Sequence, residues 1–214
     1  MLKMGLVAGW RFQEPTGIRS DVLGITPLSE VGGAIVSADS KFGRAVSFAN
    51  GATLGAAVSP VRSGSFTLSC WVNHTTGGAA TGFVMALSIN SGADPLMFIA
   101  LTGAAGNKSP RYSVNVAPFN EGVPTPGRWM HLVSSYNSAL PGFSTFQNGL
   151  RTGIHLGAAD FTDVNSLCFG SAVLALVDEA YVWNRALNEA EVARLYASGN
   201  SGMTYPFTDG YSFQ

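Results

Sequence analysis

The chain has 214 residues, 46% of them hydrophobic and only 12% charged, with 26 glycines and a formal net charge of −1. That is enough chain for one sizeable core, and it is too apolar for a disordered segment. A charge this close to zero gives no electrostatic basis for binding nucleic acid or an anionic membrane, and no stretch reaches membrane-spanning length.

At the N-terminus Lys3 is not followed by a continuous apolar run of signal-peptide length, so no export signal is expected. Residues 5–12 alternate small or polar side chains with larger ones and predict a strand with one buried face. Residues 13–39 are rich in Gly, Pro, Ser and Asp and predict a long loop with one short strand near 34–36. A turn at 41–44 leads into a strand at 45–48, and Asn50-Gly51 is a hairpin signal ahead of 52–58. Strict alternation over 66–72 turns Phe66, Leu68, Cys70 and Val72 inward, with Thr67, Ser69 and Trp71 on the other side. Further strands are predicted at 83–89, 96–101 and 112–116, each bounded by Gly, Asn or Pro, and then a long one at 127–136. Asn148-Gly149 between 143–146 and 150–154 is a second hairpin signal, and a strand around 167–169 follows.

Residues 174–199 carry the most complete local code. Apolar residues fall on both parities from Leu174 to Trp183, as in a strand buried on both faces. Asn188 then stands as a helix cap with Glu191 as its reciprocal partner, and Leu187 is placed to staple onto Val192. Val192, Leu195 and Tyr196 form the apolar stripe, and Gly199 is read as the left-handed stop. The helix is expected over an edge or one end of the sheets. About a dozen short strands with glycine-rich turns and one helix specify an all-β, antiparallel two-sheet jelly-roll sandwich. No internal repeat or linker divides it. The domain is read as residues 1–199, followed by an aromatic tail at 200–214.

Several phrases, in order, resemble a laminin G-like jelly roll of the concanavalin A-like lectin/glucanase superfamily. They are GLVAGWRF at 5–12, KFGRAVSF at 41–48, SFTLSCWV at 65–72, RWMHLV at 128–133, QNG at 147–149 and VDEAYVWNRAL at 177–187. The resemblance implies two antiparallel sheets packed face to face, in agreement with the period-two pattern. It leaves function open, since this fold hosts lectins, glycosidases, adhesion modules and virion components.

Glycosidases of the superfamily carry their acids at alternate positions of one strand, so that the side chains share a face. Asp178 and Glu179 are adjacent and point to opposite faces of a regular strand, so a glycoside hydrolase is the least favoured reading and no catalytic residue is assigned. In some relatives acids of the last phrase help hold a calcium ion, so the resemblance offers Asp178 or Glu179, with Asp178 first, as a candidate ligand of a structural calcium. Relatives often have an acid after the opening Trp-x-Phe, where this chain has Gln13 and then Glu14, and a hydrogen-bonding role for Asp178 is the alternative. Cys70 and Cys168 lie in apolar strand patterns and read as buried free thiols, with no clustered histidines to make a zinc site. His74, His131 and His155 accompany no nucleophile motif and read as structural. Trp71, Trp129 and Tyr136 are conceivable sugar platforms, but Trp10, Trp71 and Trp129 sit in fold-defining phrases and read as core.

The tail packs Met203, Tyr205, Phe207, Tyr211 and Phe213 into a segment whose single charge is Asp209. It is expected either to lie on its own domain or to dock into a neighbouring subunit, with Tyr205, Phe207, Tyr211 and Phe213 as the contact residues. The low charge, the aromatic tail and the expected lack of an export signal point to a non-enzymatic module of a bacteriophage virion. Such a capsid decoration or tail-associated protein would be made in the host cytoplasm, form a homo-oligomer or join other virion subunits, and possess no cofactor beyond the calcium above. The alternative is a free, extracellular, carbohydrate-binding lectin-like module that contacts a cell-surface glycan.

Overall fold

The computed structural model describes residues 2–33, 35–48, 51–56, 59–61, 64–74, 81–89, 94–102, 109–114, 119–120, 125–156, 161, 164–171 and 174–202. In chain order the strands are β1 (Leu6–Trp10), β2 (Ser29–Val31), β3 (Val36–Ser40), β4 (Gly43–Phe48), β5 (Thr53–Ala56), β6 (Phe66–His74), β7 (Thr81–Ile89) and β8 (Asp94–Thr102). They continue as β9 (Ser109–Val114), β10 (Phe119–Asn120), β11 (Trp129–Asn137), β12 (Gly142–Gln147), β13 (Leu150–Leu156), β14 (Ser166–Ser171) and β15 (Ala175–Trp183), and helix α1 (Glu189–Asn200) follows.

The strands form two antiparallel sheets. An eight-stranded sheet runs β13-β12-β11-β6-β15-β4-β3, with β1 also paired to β15, and a seven-stranded sheet runs β10-β9-β8-β7-β14-β5-β2. Their facing sides share the main core. Phe66, Leu68, Cys70 and Val72 of β6 enter it as the alternation predicts, alongside Trp10, Phe12, Phe48, Leu132 and Phe169. Trp10 and Phe12 meet the Phe169 ring edge-on at centroid distances of 5.4 and 5.7 Å. The expected all-β sandwich is therefore the observed one.

Helix α1 has the predicted capping box: the Asn188 side chain accepts from the Glu191 backbone N–H, and the Glu191 carboxylate accepts from the Asn188 N–H. It packs on the outer face of the eight-stranded sheet and reaches the edge strand β13 through the Glu189–Arg151 pair, and Val192 and Leu195 join Val133, Phe146, Tyr181 and Trp183 in a second core. Gly199 is not the stop. It lies inside the helix, and a Cβ there would come within 2.7 Å of Trp71 Nε1, so it is small because the indole abuts it. Gly202, at φ +80°, is the left-handed residue beyond the end.

The predicted loop at 13–39 holds β2, β3 and bridges from Trp10 to Asp21 and from Arg19 to Leu28. Polar side chains organise it. Asp21 accepts from the backbone N–H of Gly9, Leu23, Ile25 and Thr26. Fully buried Arg19 donates to the Gly17 and Ile35 carbonyls and to Glu30. The Asn50-Gly51 signal does not join a hairpin either, because β4 and β5 belong to different sheets; Asn50 itself lies outside the described residues. Asn148-Gly149 does join β12 to β13, with φ of 51° and 80° at the two turn residues.

The contrast between two left-handed glycines gives a prediction. At Gly170 (φ +75°) an added Cβ would lie 1.8 Å from the buried Phe48 ring, whereas at Gly202 it would meet nothing within 4 Å. Gly170→Ala should cost roughly 2–5 kcal/mol, from the left-handed backbone plus overpacking, and Gly202→Ala only about 1–2 kcal/mol. Urea unfolding followed by tryptophan fluorescence measures both, and equal losses would refute the packing argument.

Candidate functional site

The acid pair sits at a junction. One side of β15 pairs with β6, while the other takes two strands end to end: β4 along Ala175–Val177 and β1 along Ala180–Trp183. Asp178 and Glu179 occupy the gap between them. The register against β6 shifts here, and Glu179 adopts φ +46°, a bulge that brings both adjacent acids into the interior. Asp178 is fully buried and Glu179 is 3% exposed.

Their bonds tie the two abutting strands together. Asp178 Oδ2 accepts from Ser40 Oγ, and Oδ1 from the Glu179 N–H, both at 2.8 Å. Ser40 Oγ in turn accepts from the Phe42 N–H at 2.8 Å. Glu179 accepts from Arg11 Nε at 3.2 Å and from the Tyr181 hydroxyl. Gln13, just past β1, completes the splice: its NH₂ donates to the carbonyls of Arg11, Phe42 and Arg44, and its Oε1 accepts from the Arg44 N–H. An amide suits this place because it must donate and accept at once.

Burial pushes the Asp178 carboxyl up to about 7 against the pull of its donors, and raises Glu179 as well. Calcium takes six to eight oxygens. Both Asp178 oxygens already accept hydrogen bonds, and among the described residues no three His, Cys, Asp or Glu converge. This donor set does not fit calcium.

The other acids with described side chains are engaged in the same way. Glu14 accepts from the Ser20 N–H, Glu30 from the Gly17 N–H and Arg19, and Glu191 from both Arg185 guanidinium nitrogens. Glu189 pairs with Arg151 at 3.4 Å.

His131 Nε2 lies 2.8 Å from Ser69 Oγ, and burial together with Lys41 pushes the imidazole down to about 3, which keeps it neutral. Its ring is near Trp71, itself stacked on Tyr196 at 5.6 Å and capped by Lys41 Nζ 3.6 Å from the indole centroid. Trp71 and Tyr136 are 3% exposed and Trp10 is fully buried, while Trp129 is half-buried. His74 is buried, and the His155 ring lies tilted against Phe143 with centroids 4.7 Å apart. Cys70 and Cys168 are buried free thiols, and burial pushes Cys168 up to about 11. Tyr205, Phe207, Tyr211 and Phe213 lie outside the described residues.

Two apolar concavities were not foreseen. One, of about 730 Å³, is lined by Leu6, Val7, Leu23, Ile25, Pro27 and Pro60, among others. The other, of about 290 Å³, lies beside the start of α1 and is lined by Leu140, Ile154, Leu156, Ala186 and Leu187 with polar neighbours. Exposed Leu150, Ile154 and Leu156 on one short strand were the available sequence signal for an apolar edge.

The buried acids make stability depend on pH with a definite sign. A carboxyl whose pKa is raised in the fold stabilises fully below its ordinary value, and that contribution is lost as pH rises through the raised value. From pH of about 4 to 7, Asp178 should therefore weaken the fold progressively, with no further effect above. Asp178→Asn, which never ionises and keeps one acceptor oxygen, should flatten that decline without abolishing it, since Glu179 acts in the same direction. Urea midpoints across this range test it, and an unchanged slope in the variant would assign the dependence elsewhere.

Residues 47–193 match a family model described as concanavalin A-like lectin/glucanases superfamily. No curated protein matches. Among solved structures, Trypanosoma rangeli sialidase is similar, with a TM-score of 0.74 and 15% identity, over 94% of this chain and 34% of the sialidase chain. Domain 4 of AbnA, a GH43 extracellular arabinanase from Geobacillus stearothermophilus solved with arabinotriose, gives 0.66 and 22% identity over 89% of this chain and 98% of that domain. The binding domain of Paraclostridial Mosquitocidal Protein 1 gives 0.73 and 15%, over 93% and 53%. The chain thus spans about a third of the sialidase, and at these identities the likeness is one of fold. From the strand order, the two facing layers and the family match together, this chain belongs to the concanavalin A-like lectin/glucanases superfamily.

Proposed function

We propose that this domain is a non-catalytic binding module that works by surface contact. The observation that carries the reading is that every acid with a described side chain is hydrogen-bonded or ion-paired within the fold, while open apolar concavities mark its surface. Glycoside hydrolysis needs two carboxylates about 5–9.5 Å apart facing one substrate. Asp178 and Glu179 face Ser40, Arg11 and Tyr181 instead. Calcium stands outside this reading for the reason of fit given above.

The setting is proposed from composition. Only 12% charged residues and an aromatic C-terminal segment favour a subunit that assembles with copies of itself or with other subunits. A bacteriophage virion, as a capsid decoration or tail-associated protein, is such a setting. A second reading, an extracellular lectin-like module that contacts glycans, draws support from the fold shared with an arabinanase domain solved with arabinotriose.

Two measurements test these readings. No sugar should be released from arabinan or from sialylated substrates, and turnover that survives repurification would overturn the non-catalytic assignment. On a glycan array that includes arabino-oligosaccharides, the lectin reading expects retention that falls roughly three- to tenfold in Trp129→Ala, since this half-buried ring is the candidate stacking surface. Retention that Trp129→Ala leaves unchanged would remove the ring from that role, and no retention at all would leave assembly as the proposed mode.

A further inference from the structure

Helix α1 covers only part of the outer face of the eight-stranded sheet. Beyond its first turn Leu140, Ile154 and Leu156 are 75%, 58% and 84% exposed. With Ala186 and Leu187, where the chain enters the helix, they wall the groove of about 290 Å³. The register explains its shape. Ile154 is opposite Ser144 and Leu156 opposite Gly142, and these in turn pair with Ser135 and Asn137. Large apolar residues on the edge strand thus look across small and polar ones, which leaves a trough with an apolar wall and a floor of small side chains, where the Ser135 hydroxyl is already bonded to Thr67 and Leu187.

The chain itself carries a segment of matching chemistry. Residues 203–214 contain Met203, Tyr205, Phe207, Tyr211 and Phe213, and their one charge is Asp209. We infer that this segment of a second copy of the chain seats in the groove, with its rings against Leu140, Ile154 and Leu156 and its polar groups against Asn137 and Ser144.

Two observations select this occupant. The segment begins beyond the far end of α1: a helix of 12 residues is about 18 Å long, and an extended run of that many residues reaches about 40 Å, so the segment has the length to cross to a neighbour. The walls of the groove are also exposed, so a neighbouring molecule can reach and bury them. Groove and segment are different surfaces, so the contact is heterologous; reciprocal exchange closes a dimer, and one-way exchange builds a ring or filament. The inference rests on the reading of this domain as a contact module and is independent of any glycan ligand.

The test combines size measurement with a peptide. Full-length chain, chain lacking 203–214, and full-length Leu156→Glu are compared by light scattering after gel filtration. Fluorescein-labelled peptide 203–214 is then titrated into the truncated chain and into truncated Leu156→Glu. The expected result is association of the full-length chain and monomers for both changes. Both changed chains should still unfold cooperatively, with melting temperatures lowered only by the stabilisation that association gives the full-length chain; Leu156 itself is 84% exposed. The peptide should bind the truncated chain and lose at least tenfold in affinity with Leu156→Glu. Association that survives both changes, or a peptide that does not bind, overturns the inference. So does a monomeric full-length chain that excludes the peptide, since its own segment would then fill the groove. Glycan binding is scored separately on the same variants, so failure of the contact-module reading and failure of this inference give different results.

Discussion

The sandwich depends on how β15 holds two strands end to end along a single edge. Where β4 stops and β1 begins, the regular ladder cannot satisfy the backbone, and unpaired buried N–H and C=O groups would each cost about 1–3 kcal/mol. Asp178, Glu179 and Gln13 fill that gap with side-chain bonds to Ser40, Arg11 and the carbonyls of Phe42 and Arg44. The left-handed Glu179 is the strain this requires, and it persists because its neighbours leave the carboxylate no other place to go. The residues that look most like chemistry are thereby committed to architecture. Asp178 and Glu179 face the joint between strands.

What the sequence made legible follows from how local each interaction is. The capping box of α1 needs only Asn188 and Glu191, and the inward set of β6 needs only its alternation, so both were readable. Asn50-Gly51 and Asn148-Gly149 carry the same turn signal, yet one lies between strands of different sheets and the other closes a hairpin. The difference lies in distant partners, β15 for β4 and β14 for β5, which no turn residue encodes. Gly199 fits both a helix stop and a packing gap, and Trp71, far earlier in the chain, decides between them. At residues 13–39 the pairing groups are the side chains of Asp21 and Arg19, so a polar composition that reads as loop conceals a well-bonded segment. The bulge was also invisible: two adjacent acids on a regular strand face opposite ways, and the irregular register that buries both is a tertiary fact.

The outer face of the larger sheet shows how the aromatic residues were spent. Trp71 has the flat surface a sugar would need, but Tyr196 stacks on it, Gly199 abuts it and Lys41 lies over it. His131 beneath stays neutral and bonded to Ser69, so the cluster acts as a hydrophobic seat for the end of α1.

That placement has a consequence for contact. Once α1 sits over β11, β12 and β15, the edge strand β13 is left with Ile154 and Leu156 toward solvent at one end and Arg151 paired to Glu189 at the other. An edge strand is ordinarily protected by charge, proline or a bulge. Here charge and bulge protect the half beside the helix, where the register shifts near Arg151, and neither protects the half beyond it. In a chain with so few charges, apolar area of this kind is a liability unless something covers it. The unprotected half of β13 is thus where the inferred contact falls, and its apolar wall and floor of small side chains are the chemistry on which that inference rests.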